Sequence, residues 1–258
     1  MPATVRFRNF RASDGSWLDD GGSEDCQGRA IHALGETILL APDGGMVATA
    51  TLLLGRALPA ARDLTALRAR SSALLGCVAA VRGGMEGESD PTLRLLAGRL
   101  HAAFAASADP AWPWPERILT YENGLPVQAL LVAGAHLGDE QMVQAGLRTL
   151  DWLIASQAAP AGHLSPIGNA WWTRNGSRSQ FDQQPIEANS TVSACLEAYR
   201  ATADADGLTS IAMLCNTPAM LSKELVAATR PALTIHGLSI TQAIGTEHDG
   251  MCYLETVL

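Results

Sequence analysis

The chain has 258 residues, 47% hydrophobic and 17% charged, a globular balance rather than a disordered one. Its formal net charge of −8 argues against nucleic acid and anionic membranes as partners, since both call for a basic surface. The length suits one large domain near the upper limit of a single core.

The opening residues, MPATVRFRNFRASDGSW, hold no apolar stretch long enough for a signal peptide. No run approaches the ~20 apolar residues that span a bilayer. The stretch 16–35 contains a helix start: Ser23 suits an N-cap, Glu24 and Asp25 a first turn, and Cys26, Ala30, Ile31 and Leu34 an apolar stripe. Residues 64–82 place Leu64, Leu67, Leu74, Leu75 and Val78 mostly on one helical face. Residues 92–107 repeat the pattern with Leu93, Leu96, Leu100 and Phe104. Further helices are predicted over 125–137 and 140–156, and Pro185 opens one that runs to about Ala203. Strand signals are few, because no stretch alternates cleanly.

The segment 133–150 is echoed weakly by 198–214, each an apolar helix, a short acidic turn and a second helix. Repeated helical hairpins stack as a solenoid or close as a toroid. The connections 11–28, 108–124 and 157–184 are long and chemically rich, which favours an all-α toroid with a decorated mouth.

Trp17, Trp112, Trp114, Trp171 and Trp172 lie in those connections, whereas Trp152 sits in an amphipathic helix. Loop tryptophans either pack their own loops or stack on sugar rings, with nearby amides and acids bonding the hydroxyls. Glu24 and Asp25 are read as helix-dipole partners or as cleft carboxylates, and Asp182 or Gln184 as a cap for the helix at Pro185 or a cleft group. Glycosidic chemistry needs two carboxyl groups, one protonated and one ionised. Asp182, Glu187, Asp25 and Glu24 are the candidates. The six histidines lack H-x-x-x-H spacing, and no P-loop, G-x-G-x-x-G or G-x-S-x-G occurs, so neither a metal nor a nucleotide cofactor is expected. Five cysteines without C-x-x-C read as free thiols in a reducing compartment, hence a cytoplasmic protein.

Taken together, GSEDCQGRAIHALG, LTYENGLPVQALLVAG, LDWLIASQ, GHLSPIGN and FDQQPIEA resemble a bacterial family of the six-hairpin glycosidase-like superfamily. Its members are usually labelled glycosyltransferases, the domain being found with or fused to retaining glycosyltransferase modules. The resemblance covers roughly residues 13–204. It implies an (α/α)6 toroid and a glycan partner. As cleft positions it implies Glu24, Asp25, Arg29, Tyr121, Asn123, Gln128, His163, Ser165, Asn169, Asp182, Gln183, Gln184 and Glu187, to which the loop reading adds Trp171 and Trp172.

The family's earlier hairpin, with its TDDNARAL-like motif, has no counterpart before Arg11. Its LYDPxTGG-like tail is also missing, although a shifted frame through residues 232–238 can encode Pro-Tyr-Asp-Pro-Arg-Thr. The expected organisation is therefore a toroid domain over 1–205 lacking its first hairpin, and a divergent tail over 206–258, out of frame or poorly packed. Three functional readings follow: a catalyst acting on glycosidic bonds, a glycan-binding or scaffold module serving a glycosyltransferase, or an inactive remnant.

Overall fold

The computed structural model describes residues 5–107, 109–160 and 163–202. In chain order these form α1 (Glu24–Leu40), α2 (Gly44–Ala61), α3 (Leu67–Arg82), α4 (Glu86–Ala105), β1 (Ile118–Leu119), α5 (Gly124–Leu137), α6 (Glu140–Gln157), β2 (Trp172–Thr173) and α7 (Pro185–Thr202). Local chemistry sets several starts. The Ser23 hydroxyl accepts from the Cys26 N–H, and Asp43 and Asp139 do the same for α2 and α6. α5 ends at Gly138, whose φ of +67° is left-handed. The start of α3 is capped from another helix. The Glu24 carboxylate accepts from the Thr65 N–H, the Thr65 hydroxyl and the Ala66 N–H.

Short turns after α1, α3 and α5 fold each helix back on its successor, so the long connections all fall at the opposite end. The odd helices pack side by side in chain order, α1 on α3, α3 on α5 and α5 on α7. The even helices lie outside, α2, α4 and α6 each packing on its hairpin partner. This two-layered arc of hairpins is the expected α/α-toroid arrangement. Its inner helices run in one direction and bring their N-termini to one end.

The inner layer is close because glycine removes side chains where helices cross. A methyl on Gly76 of α3 would lie 2.6 Å from the Ile31 carbonyl carbon of α1. One on Gly124 would strike the Ser190 backbone of α7. Between the layers lie Leu54, Leu74, Leu93, Leu96, Leu100, Leu130 and Leu131, all fully buried. Each contributes about 1.5–3 kcal/mol by leaving water.

The periodic pattern predicts α3 from 64 and α4 from 92. The structure starts α3 at Leu67 and carries α4 back to Glu86, through Pro91. Pro91 forfeits a single helical N–H, and both it and Gly87, whose carbonyl that N–H would have met, face solvent. The helix α2, a run of Ala, Leu and Thr that is apolar almost all round, is not among the predicted elements. By length and composition it could also cross a membrane, with a mean hydropathy of 1.2, although a third of that window is buried against its neighbours. The tail 206–258, the second half of the 198–214 echo, Cys215 and Cys252 lie outside the described residues. Cys26, Cys77 and Cys195 are free thiols.

At the long-connection end, Ile118–Leu119 pairs antiparallel with Trp172–Thr173. This ribbon ties connection 108–124 to 157–184. Trp112, Trp152 and Trp172 pack their rings together beside it, with centroids 5.0–6.0 Å apart. Trp114 meets Phe104 edge-on in the core. Of the loop tryptophans, Trp17 and Trp171 stay exposed, and Trp17 lies under the guanidiniums of Arg8 and Arg11.

Candidate functional site

The N-termini of the inner helices converge on one polar cluster. From α1 come Asp25 and Arg29, one turn apart. From the start of α3 comes Arg68, and from the segment entering α5 come Tyr121, Glu122 and Asn123. The first turn of α7 supplies Glu187.

Glu187 is only 2% exposed. Its carboxylate accepts from the backbone N–H groups of Glu122 and Asn123 and from the Asn123 side-chain amide, the last at 2.9 Å. Burial pushes its carboxyl above the ordinary range, and these donors oppose that rise. Arg68 completes the clamp. Its guanidinium donates to the Tyr121 carbonyl, to Asn123 Oδ1 at 2.9 Å and to Glu116 at 3.0 Å, and lies over the Tyr121 ring. The turn so held includes Glu122 at φ +52°, a left-handed conformation that non-glycine residues seldom adopt.

Glu122 is thereby turned toward α1. Arg29 donates Nη2 to Glu122 Oε2 at 2.5 Å and Nε to Asp25 Oδ2 at 2.8 Å. One guanidinium, 42% exposed, thus sits between a carboxylate 35% exposed and another 12% exposed. For Glu122 burial outweighs the attraction of Arg29, and its carboxyl is lifted above the usual range. For Arg29 the two acids outweigh burial, and its cation is reinforced. The second oxygen of Asp25, Oδ1, is buried with no hydrogen-bond partner.

Of the sequence candidates, Asp25, Arg29, Tyr121, Asn123 and Glu187 come together here. Glu24, beside them, is engaged at the start of α3. Gln128 is half-buried further along α5. A second group lies within connection 157–184, where the Ser165 hydroxyl accepts from Arg178 and from Gln183 at 3.1 Å. His163 is half-buried there, and Asn169 is exposed with its N–H bonded to the Phe181 carbonyl. Asp182 and Gln184 are exposed, and among the described residues no hydrogen bond holds either side chain. Asp182 and exposed Trp171 take left-handed φ values of 56° and 65°. Trp172 is half-buried in the tryptophan group.

Glu122 and Arg68 were not anticipated. The motif YENG pointed at the flanking Tyr121 and Asn123, and Arg68 reads as a solvated residue of an amphipathic helix. Among the described residues no group of three His, Cys, Asp or Glu side chains is placed to hold a metal.

No family model matches the chain, and no curated protein does. Among solved structures it is similar to an unsaturated glucuronyl hydrolase specific for heparin, with a TM-score of 0.61 and 15% identity. The match covers 86% of this chain and 64% of the hydrolase chain, so this chain spans under two thirds of that protein's length. The likeness shows the fold alone, an α/α toroid of helical hairpins.

Proposed function

We propose that this chain is a carbohydrate-active protein that takes a glycan or oligosaccharide at the converging ends of its inner helices and acts there on a glycosidic bond. One observation carries the reading: Asp25 and Glu122 flank a single half-exposed guanidinium, on a fold shared with a glucuronyl hydrolase. Glycosidic cleavage needs a protonated carboxyl beside the leaving oxygen and an ionised one beside the attacking water. Glu122, whose burial favours its proton, is the donor to the leaving oxygen. Asp25, whose side chain is 35% exposed, receives the proton of the water that attacks the anomeric carbon. Arg29 orients both acids. Glu187 and Arg68 act through the turn they clamp and are positioning residues.

In this reading Tyr121, Asn123, Gln128, His163, Ser165, Asn169, Gln183, Gln184 and the open face of Trp171 extend the sugar-contacting surface. Asp182 and Glu24 stand outside the reacting pair. Service to a glycosyltransferase rests on the five-motif resemblance alone, and a cytoplasmic location on the free thiols.

The test is an oligosaccharide titration run beside an assay for newly released reducing ends. Asp25→Asn and Glu122→Gln should keep the parent's melting curve and each lower turnover by about 100-fold or more. Binding with no turnover in the parent supports the glycan-binding module instead. A parent that neither binds nor cleaves any oligosaccharide, or amide variants that cleave as well as the parent, would sink the reading.

A further inference from the structure

Connection 157–184 keeps two large aromatic rings in water. Trp171 is 44% exposed and Phe181 80%, the latter more than any other large hydrophobic side chain among the described residues. Neither meets another ring among those residues, although Trp172, next to Trp171, packs against Trp112 and Trp152.

A loose loop would account for such exposure, but this one is pinned. The Asn169 N–H donates to the Phe181 carbonyl at 3.2 Å, the Ser179 N–H to the Trp171 carbonyl at 3.1 Å and the Gly168 N–H to the Ser179 carbonyl at 2.9 Å. A methyl on Gly168 would lie 1.9 Å from the Phe181 carbonyl oxygen, so the two limbs of the loop meet backbone to backbone. Trp171 takes a φ of 65°, and Asp182, directly after Phe181, one of 56°. Left-handed backbone is unfavourable at such residues and persists only where the surroundings impose it. The loop thus holds both rings out against the hydrophobic effect.

Their place is beside the proposed reacting pair. Trp172 pairs with Leu119 in the antiparallel ribbon, which sets Trp171 toward Thr120. From Thr120, Glu122 is two residues on, at most roughly 7 Å of backbone. The rim is rich in free polar groups: Asn169, Asp182 and Gln184 are exposed, and no hydrogen bond holds their side chains among the described residues. A flat aromatic face stacks on the C–H face of a pyranose, and unengaged amides and carboxylates bond its hydroxyls.

We infer, on the reading that this end of the toroid binds a glycan, that Trp171 and Phe181 form an outer subsite that stacks on further rings of the chain held at Asp25 and Glu122. The preferred ligand is then an oligosaccharide rather than a disaccharide, and connection 157–184 sets that preference.

The test is calorimetric titration of the full chain with cellulose-, starch- and hyaluronan-derived oligosaccharides, each series running from disaccharide to hexasaccharide. For a series that the parent cleaves, kcat/KM replaces affinity as the readout. The hexasaccharide should exceed the shortest member that binds by at least tenfold. Trp171→Ala and Phe181→Ala should each cut that ratio at least threefold, leave the shortest member within twofold and keep the parent's melting curve, since both side chains are exposed. Trp171→Leu and Phe181→Leu keep bulk and lose the flat face. They should cut the ratio likewise, and they stand in for an alanine variant that fails to fold. A parent whose affinity does not rise with length overturns the inference and leaves the glycan-binding reading standing. So does a rise that survives in the folded variants, or a variant that weakens short and long members alike. Binding by no series brings down the underlying reading, and the inference with it.

Discussion

His32 lies one turn below Arg29 on the same stripe of α1 that carries Asp25 above and Glu36 below. Burial, and then the nearby Arg29 charge, push its imidazole from an ordinary 6.5 to about 4. The folded protein therefore resists a proton that the unfolded chain accepts. Stability from this source is complete above about pH 6.5 and is lost as pH falls toward 4. His32→Gln should accordingly lose less melting temperature than the parent between pH 7 and pH 5, and parallel thermal melts at the two values check it. Glu187→Gln tests the clamp. The substituted amide must turn its NH2 toward the N–H groups of Glu122 or Asn123, or leave one of them unpaired, at a cost of about 1–3 kcal/mol. Chemical denaturation would read this, and an unchanged midpoint would mean that the turn holds without it. Much of the residue scale was legible. Polar residues at helix starts, Asp25, Asn123 and Glu187 among them, stand out where a chain must satisfy free N–H groups. Glu122 did not, because nothing in its neighbours announces a left-handed backbone. Arg68 did not, because its burial depends on loops far away in sequence.

Elements were legible where one face is apolar and the other polar. The reading of α5, α6 and α7 agrees with the structure to within a residue or two at the described ends. The helix α2 was not read, although α5, which is more apolar still, was, so the lack of a polar face is not by itself the reason. Contact between helices was less visible, because a glycine inside a helix gives no sign in sequence of what it approaches. Gly76→Ala should force α3 from α1 and destabilise by about 1–3 kcal/mol, since a methyl there would also lie 2.7 Å from the His32 Cα. Gly98→Ala, on the exposed face of α4, meets nothing within 4 Å and should stabilise by about 0.5–1 kcal/mol. The two variants, compared by urea denaturation, should move in opposite directions. If both stabilise, the close approach of α1 and α3 is not a constraint on the fold.

At the scale of the whole molecule, the long connections predicted one decorated end, and the β1–β2 ribbon and the Arg29 bridge bring those connections together. A glycan bound there should slow amide exchange at the starts of α1, α5 and α7 and leave the turns after α1, α3 and α5 unchanged. Hydrogen-exchange mass spectrometry with a saturating oligosaccharide measures this. Protection confined to the turn end would place the ligand on the wrong side of the protein. The tryptophan group has a practical consequence for such work. Trp152 and Trp172 are stacked at 13° with Trp112 edge-on, so three indoles from a helix and two loops share one small volume. Their transitions couple only while that geometry lasts. The near-ultraviolet circular dichroism of the chain is therefore an optical gauge of the mouth itself, readable without a label, whereas far-ultraviolet signals report the helices beneath it.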